Sequence, residues 1–249
     1  MNPPFFIRNH LGALIRVLWI SCLYSEAIEG AQSKPEQPTN VLMIMVDDLN
    51  DWIGCMGGHP QTITPNLDRL AASGVLFTNA HCPGAACNPS RTAIMTGLSP
   101  ATSGLYENGQ KMREILPGTE LLQQHFRNQD YLAIGSGKML HYFIDARSRD
   151  KYYPEKETEN PFPRTVYPDK RPVNLPRGGP WQYVEADRAA LDATDEEFGG
   201  DWLVSKWVGE QLAKEQKQPL FLACGIYRPH EPWFVPKKYF EPFPLDDIQ

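Results

Sequence analysis

Six apolar residues in a row, Val41-Leu42-Met43-Ile44-Met45-Val46, end abruptly at Asp47-Asp48. A strand with one wet face alternates apolar and polar positions. A strand apolar at every position has to be covered on both faces, as happens inside a parallel sheet flanked by helices. Residues 131–135 and 219–226 read the same way. Helical patterns separate these runs. Residues 64–74 carry Thr64 as a cap, Pro65 at the first helical position and Gly74 as a stop. Residues 89–96 predict a short helix closed by Gly97, and residues 119–129 one that puts Leu121, Leu122 and Phe126 on one face. Residues 195–214 predict a longer amphipathic helix with Leu203, Trp207, Val208 and Leu212 on its apolar side, and residues 75–80 predict a strand. The alternation implies an α/β fold, a mostly parallel sheet with helices on both faces. Residues 142–190 have no period and are rich in aromatic residues and proline. An irregular excursion of that length inside a domain is usually functional, and Tyr152, Tyr153, Phe162, Tyr167 and Trp181 are its candidates for lining a pocket.

A chain of 249 residues can bury a sizeable core. Its net charge of -6, spread without basic blocks, argues against a nucleic-acid binder. At the N-terminus, Arg8, His10 and Arg16 precede the apolar run Val17-Leu18-Trp19-Ile20-Ser21-Cys22-Leu23-Tyr24, and Ser25-Glu26-Ala27 supplies small residues at a cleavage site. That is the pattern of an export signal over residues 1–27, and the run is too short to span a membrane. The expected destination is periplasmic, lysosomal-like or extracellular, with residues 28–38 as a linker. Cys55, Cys82, Cys87 and Cys224 remain after the signal. Disulfides are open to an exported chain, and the absence of a CxxC pair or Cys/His spacing excludes an ordinary zinc site.

Polar clusters follow three of the apolar runs: Asp47-Asp48, then Lys138 with His141, then His230. Open α/β sheets bind ligands beyond the carboxyl ends of their strands, so these distant segments are expected to converge. Asp47-Asp48 offers hard oxygen donors for Ca²⁺ or Mg²⁺, although an isolated Asp-Asp pair is more often a solvated turn or a helix cap. Cys87 precedes Pro89 and falls at a predicted helix N-terminus, where exposed N–H groups attract anions such as sulfate or phosphate. Taken alone, Cys87 is equally a disulfide partner of Cys82 or a buried thiol. Lys138 alone is a solvated charge, and His141 or His230 alone a structural side chain.

Cys87-Asn88-Pro89-Ser90-Arg91, followed by Thr96-Gly97, resembles the sulfatase signature C-x-P-S-R-x₄-T-G. Val46-Asp47-Asp48, the segment Thr64-Pro65-Asn66-Leu67-Asp68-Arg69-Leu70-Ala71, and Gly137-Lys138 with His141 extend the resemblance along the chain. Asp48-Leu49 with Gly54-Cys55, Leu105-Tyr106, and Arg228-Pro229-His230-Glu231-Pro232 look most like the iduronate-2-sulfatase group and its bacterial relatives. The resemblance implies an alkaline phosphatase-like fold and hydrolysis of a sulfate monoester, on a sulfated small molecule or glycan. It implies that a formylglycine-generating maturation enzyme converts Cys87 into formylglycine, whose aldehyde hydrate is the nucleophile. Asp47, Asp48 and the modified Cys87 would contact Ca²⁺. Arg91 would hold the modified residue, Lys138 the sulfate; His141 would take a proton from the hydrate and His230 would stand at the leaving-group oxygen.

The family draws a second pair of metal ligands from further downstream, whereas this sequence stops at Gln249. The expectation is the N-terminal part of a catalytic domain, residues 39–249, with the C-terminal part missing. Asp246-Asp247 reads as loop, and His59, His81 and His125 as structural or exposed. Two alternatives stay open: a phosphonate or phosphate ester hydrolase of the same fold, and an inactive truncated fragment.

Overall fold

The computed structural model describes residues 38–141, 143–155, 161–168 and 188–248. Thr39–Gln249 is one compact unit, and the expected signal and all of the expected linker but Pro38 lie outside the described residues. So do Trp181 and most of the 142–190 excursion.

The strands are β1 (Val41–Val46), β2 (Leu132–Gly137), β3 (Lys151–Tyr153), β4 (Arg188–Leu191), β5 (Leu220–Ile226) and β6 (Trp233–Pro236). The α-helices are α1 (Pro65–Ser73), α2 (Cys87–Thr96), α3 (Pro100–Ser103), α4 (Met112–Ile115), α5 (Leu122–Asn128), α6 (Asp195–Phe198) and α7 (Asp201–Leu212). Four strands form one sheet in the order β1-β5-β2-β3, every neighbouring pair parallel. β4 and β6 form a separate parallel pair.

Both faces are covered at β5, as its uninterrupted apolar run requires, but on β1 Leu42 and Ile44 are 42% and 53% exposed, so the expectation of two covered faces fails for that strand. Along β5, Phe221 and Ala223 point to the face packed by Met95 of α2, Met112 of α4 and Phe126 of α5. Leu220, Leu222 and Cys224 point to the other face, against Val204, Trp207 and Val208 of α7. Phe221 is fully buried and stacks on Phe126 with ring centroids 4.5 Å apart. Burying a side chain of that size contributes about 1.5–3 kcal/mol.

Two more expectations fail on particular residues. Residues 75–80 form no strand; Val75 and Phe77 are 80% and 75% exposed, with no neighbour for pairing among the described residues. An apolar run becomes a strand only where a partner edge meets it. The expected 195–214 helix is broken into α6 and α7, because Gly199 and Gly200 take φ of +77° and +56°. A Cβ at Gly199 would run into the carbonyl oxygen of Arg164, so the loop before β4 presses the chain into a backbone that favours glycine. Leu212 ends α7 half exposed instead of packed. Of the possibilities left open for the cysteines, Cys55, Cys82, Cys87 and Cys224 are all free thiols. Asp246-Asp247 belongs to a short 3-10 turn with no strand before it, while His81 is exposed and His125 lies largely in solvent.

Candidate functional site

α2 begins at Cys87 itself, two residues ahead of the expected start. Ala86 is extended (φ -127°, ψ 153°) and Cys87 opens the helix. Pro89 fits in the first turn, where its missing N–H would have no partner anyway. Gly97 closes the helix at φ +72°. Asn88 ties this start to the following loop. Its backbone N–H donates to Asn108 Oδ1 (2.9 Å), and its side-chain amide donates to the carbonyls of Gln110 (2.6 Å) and Glu107 (3.1 Å). Asn88 and Asn108 were not singled out from the sequence. The variable position of a short motif carries no signal of its own.

β1 delivers Asp47, whose backbone N–H donates to the Ile226 carbonyl and so continues the pairing with β5 by one residue. β2 delivers Lys138 in the same manner, its N–H donating to Gly225 O at 3.0 Å. Here the chains approach so closely that a Cβ on Gly225 would overlap the Lys138 backbone. Gly137 turns the strand end at φ +76°.

Three buried charges meet at these ends. Arg91 Nη2 is 2.6 Å from Asp47 Oδ1, and Lys138 Nζ pairs with Asp47 Oδ2. Arg91 Nη1 also donates to the Lys138 carbonyl. Lys138 is 0% exposed, and its Nζ lies 3.9 Å from Cys87 Sγ and 5.0 Å from the Tyr227 ring. Burial pushes the Asp47 carboxyl up, but hydrogen bonds and charge from Arg91 and then Lys138 outweigh it, and its pKa falls below the usual carboxylate value. Two cations against one carboxylate leave a net positive cradle beside Cys87, suited to an oxyanion.

His230 comes from the turn after β5. Its Nδ1 is 2.6 Å from the Glu231 carbonyl, its ring stacks on Tyr227 at 4.7 Å, and Nε2 lies 3.8 Å from Asp48 Oδ2. Burial lowers its pKa, yet contacts to Cys87 and the Glu231 carbonyl raise it more, so the net shift is upward. His141 is shifted the opposite way, to about 4, by burial and then by the charges of Lys138 and Arg91. Asp48 takes φ +54° and its side chain is 56% exposed.

The expected residues thus converge, though not equally. Asp47, Arg91, Lys138, Cys87 and His230 touch one another. Asp47, Asp48, Cys87 and Arg91 line a cleft of about 520 Å³, while His141 opens into a neighbouring one of about 630 Å³, and Asn108 belongs to both walls. Asp47, Cys87 and His230 each bring a ligand atom within 4.8 Å of the others. Asp47 keeps lone pairs beyond those used by Arg91 and Lys138, and Asp48 adds a second exposed carboxylate, so the donor set fits a divalent cation.

The sulfatase family model matches residues 39–247. The chain belongs to the sulfatase family. It is similar to a sulfatase of Formosa agariphila, 36% identical over 248 residues, which covers 95% of this chain and 47% of that protein. It is also similar to iduronate 2-sulfatase of Homo sapiens, 28% identical over 249 residues, covering 93% of this chain and 43% of that protein. The chain therefore spans about half the length of the curated relatives it matches. The crystal structure of a phosphonate monoester hydrolase of Agrobacterium radiobacter superposes with a TM-score of 0.59 at 24% identity, over 85% of this chain and 45% of that one. That likeness speaks for the fold, which is the alkaline phosphatase-like one expected. The family generally combines a formylglycine with a divalent metal. Among the described residues of this sulfatase chain, no helix is long and apolar enough to cross a membrane.

Proposed function

We propose that this chain serves a sulfuric ester hydrolase acting on sulfate monoesters of a sugar or glycan, with Cys87 converted to formylglycine by a maturation enzyme. The observation that carries this reading is the buried Asp47 carboxylate clamped between Arg91 and Lys138, directly beside Cys87. A sulfate monoester repels nucleophiles through its own oxygens. Lys138 and Arg91 offset that charge from fixed, dry positions, where electrostatic stabilisation is strongest. His141, held neutral by its surroundings, accepts a proton at neutral pH, and His230, shifted upward, supplies one to the departing oxygen. The formylglycine hydrate supplies the attacking hydroxyl and a second hydroxyl through which sulfate is released. Asp47 and Asp48 would hold the divalent cation, Ca²⁺ in this reading, and that ion supplies Lewis-acid charge neutralisation. The similarity to iduronate 2-sulfatase favours a sulfated uronic sugar. The signal-like segment 1–27 favours maturation and work outside the cytoplasm.

The test is mass spectrometry of the Cys87 peptide from cells able to make formylglycine, together with sulfate release from 4-nitrophenyl sulfate and a phosphonate monoester as the control. The expected result is a modified Cys87 and release of sulfate, lost to background in Cys87→Ala. Full sulfatase activity with an unmodified cysteine would sink the reading.

A further inference from the structure

Three side chains at the strand ends differ in chemical kind. Asp47, Cys87 and His230 offer an oxygen, a sulfur and a nitrogen, and their ligand atoms all lie within 4.8 Å of one another. A tetrahedral ion with bonds of about 2.0–2.3 Å holds its ligands about 3.3–3.8 Å apart, so these atoms would close by at most about 1.5 Å. They come from the end of β1, the start of α2 and the turn after β5, so no local Cys/His spacing in the sequence announces them.

His230 is mounted as a metal-binding histidine is. Its Nδ1 lies 2.6 Å from the Glu231 carbonyl, which can only accept, so Nδ1 carries the proton. A neutral ring then has its lone pair on Nε2, the atom that faces Asp48 Oδ2 at 3.8 Å. A ligating imidazole commonly donates its other N–H to a carbonyl in this way, which fixes tautomer and orientation. Cys87 is placed to ionise. It opens α2, and Lys138 Nζ stands 3.9 Å from its sulfur; both favour a thiolate. Once it is ionised, three anions, Asp47, Asp48 and Cys87, face the two cations Arg91 and Lys138, and a divalent ion is drawn in rather than repelled.

We propose that the thiol form of this chain, the one its sequence encodes, binds Zn²⁺ through Asp47, Cys87 and His230, and that conversion of Cys87 to formylglycine withdraws the sulfur and passes the site to a hard cation. Thiolate and imidazole suit zinc, whereas calcium takes oxygen ligands. On binding, the sulfur forms its bond to the ion and the thiol proton leaves to solvent. The zinc site does not rest on the sulfate-ester reading above; only the hand-over to a hard cation does.

The experiment uses the full chain made in cells without a formylglycine-generating enzyme, with the Cys87 thiol verified by mass spectrometry. Co²⁺ is the spectroscopic probe, because a thiolate bound to it gives a near-ultraviolet charge-transfer band that an all-oxygen site lacks. One equivalent of Co²⁺ is expected to raise that band, Zn²⁺ to displace it and excess Ca²⁺ to leave it in place. Cys87→Ser should abolish the band, and His230→Gln should weaken Co²⁺ binding by at least about tenfold. Cys82→Ser should keep the band, which separates the site from an exposed thiol. Where a variant does not fold, alkylation of the unsubstituted chain decides: Zn²⁺ should slow iodoacetamide capture of Cys87 about tenfold or more, read on its peptide, and leave Cys82 reactive. No band in the thiol form, a band that survives Cys87→Ser, binding unchanged by His230→Gln, displacement by Ca²⁺, or an unprotected Cys87 would overturn the proposal. None of those outcomes touches the hydrolytic reading, which stands or falls on sulfate release from 4-nitrophenyl sulfate by the formylglycine form.

Discussion

The two sides of the site are built differently. On the side made by β1, α2 and β2, three charges are packed beneath the surface: Asp47, Arg91 and Lys138 are 5%, 4% and 0% exposed. On the side made by the turn after β5, His230 rests on a carbonyl, an aromatic ring and a half-exposed Asp48. The first side is an electrostatic fixture whose parts cannot be removed singly without stranding a charge. The second is a lighter mount that orients one ring. The consequence is visible in the two histidines. Burial and then the fixture's two cations push His141 down to about 4, while the mount's contacts with Cys87 and the Glu231 carbonyl move His230 upward against its burial. In the proposed reaction, two groups of the same type would thus serve as proton acceptor and proton donor through their settings alone.

The comparison breaks first at Asp47. Asp47→Asn leaves two buried cations without their counter-charge, and a loss of about 3–5 kcal/mol is expected by denaturant titration. His230→Gln should stay within about 1 kcal/mol in the same measurement, as a substitution on the lighter side. Equal losses at the two positions would dissolve the distinction. The sign of the pH dependence follows from the downward shift of Asp47. Its contribution is complete above the unfolded carboxyl pKa of about 3.9 and is lost as pH falls through the lower folded value. Asp47→Asn should therefore flatten the stability profile on the acid side.

Turnover sharpens the contrast next. His141→Gln and His230→Gln should each lower kcat by about 10²–10⁴-fold, the usual worth of a positioned acid or base. Their pH–rate profiles should differ. The unprotonated His141 is needed, so activity should fall toward acid near pH 4. The proposed reaction uses His230 as the proton donor, so activity should fall toward alkaline pH, and His230→Gln should remove that alkaline limb and leave the acid one. A profile unchanged in both variants would reassign the two roles. A smaller effect is expected at Asn88→Ala. It removes the side-chain amide's bonds to the Glu107 and Gln110 carbonyls, keeping the backbone bond to Asn108, and should cost about 1–2 kcal/mol. The smallest effect should be at Ile44→Thr, on the sheet edge, where the side chain is already 53% exposed; within about 0.5 kcal/mol is expected.

Much of this arrangement was legible in the residues. The apolar runs of β1, β2 and β5 announced a parallel sheet, and the polar residues after them announced where a site would be. The Pro89 and Gly97 brackets announced α2. What was hidden depended on contacts between distant segments. The same apolar character that makes β5 a fully covered central strand leaves Leu42 and Ile44 partly exposed on β1, which among the described residues is paired on one edge alone. The 75–80 run had the composition of a strand and no partner among the described residues. Of the excursion's aromatic residues, Tyr152 is buried beneath the sheet and Tyr153 stacks on Trp207, whereas Phe162 and Tyr167 reach a cavity. Period and composition carry no sign of that division of labour. The opposed shifts of His141 and His230 were equally invisible, since they come from neighbours contributed by other strands.

Gly225 has a consequence for how this protein tolerates change. It touches no anion and has no side chain with which to do chemistry, yet the Lys138 backbone crosses where its Cβ would stand. Any other residue there must push the end of β2 aside and carry the lysine ammonium with it. In a screen that scores activity alone, position 225 would be as intolerant as position 87. The difference would emerge only from purified variants: Cys87→Ala keeps the cradle intact, whereas Gly225→Ala takes it apart.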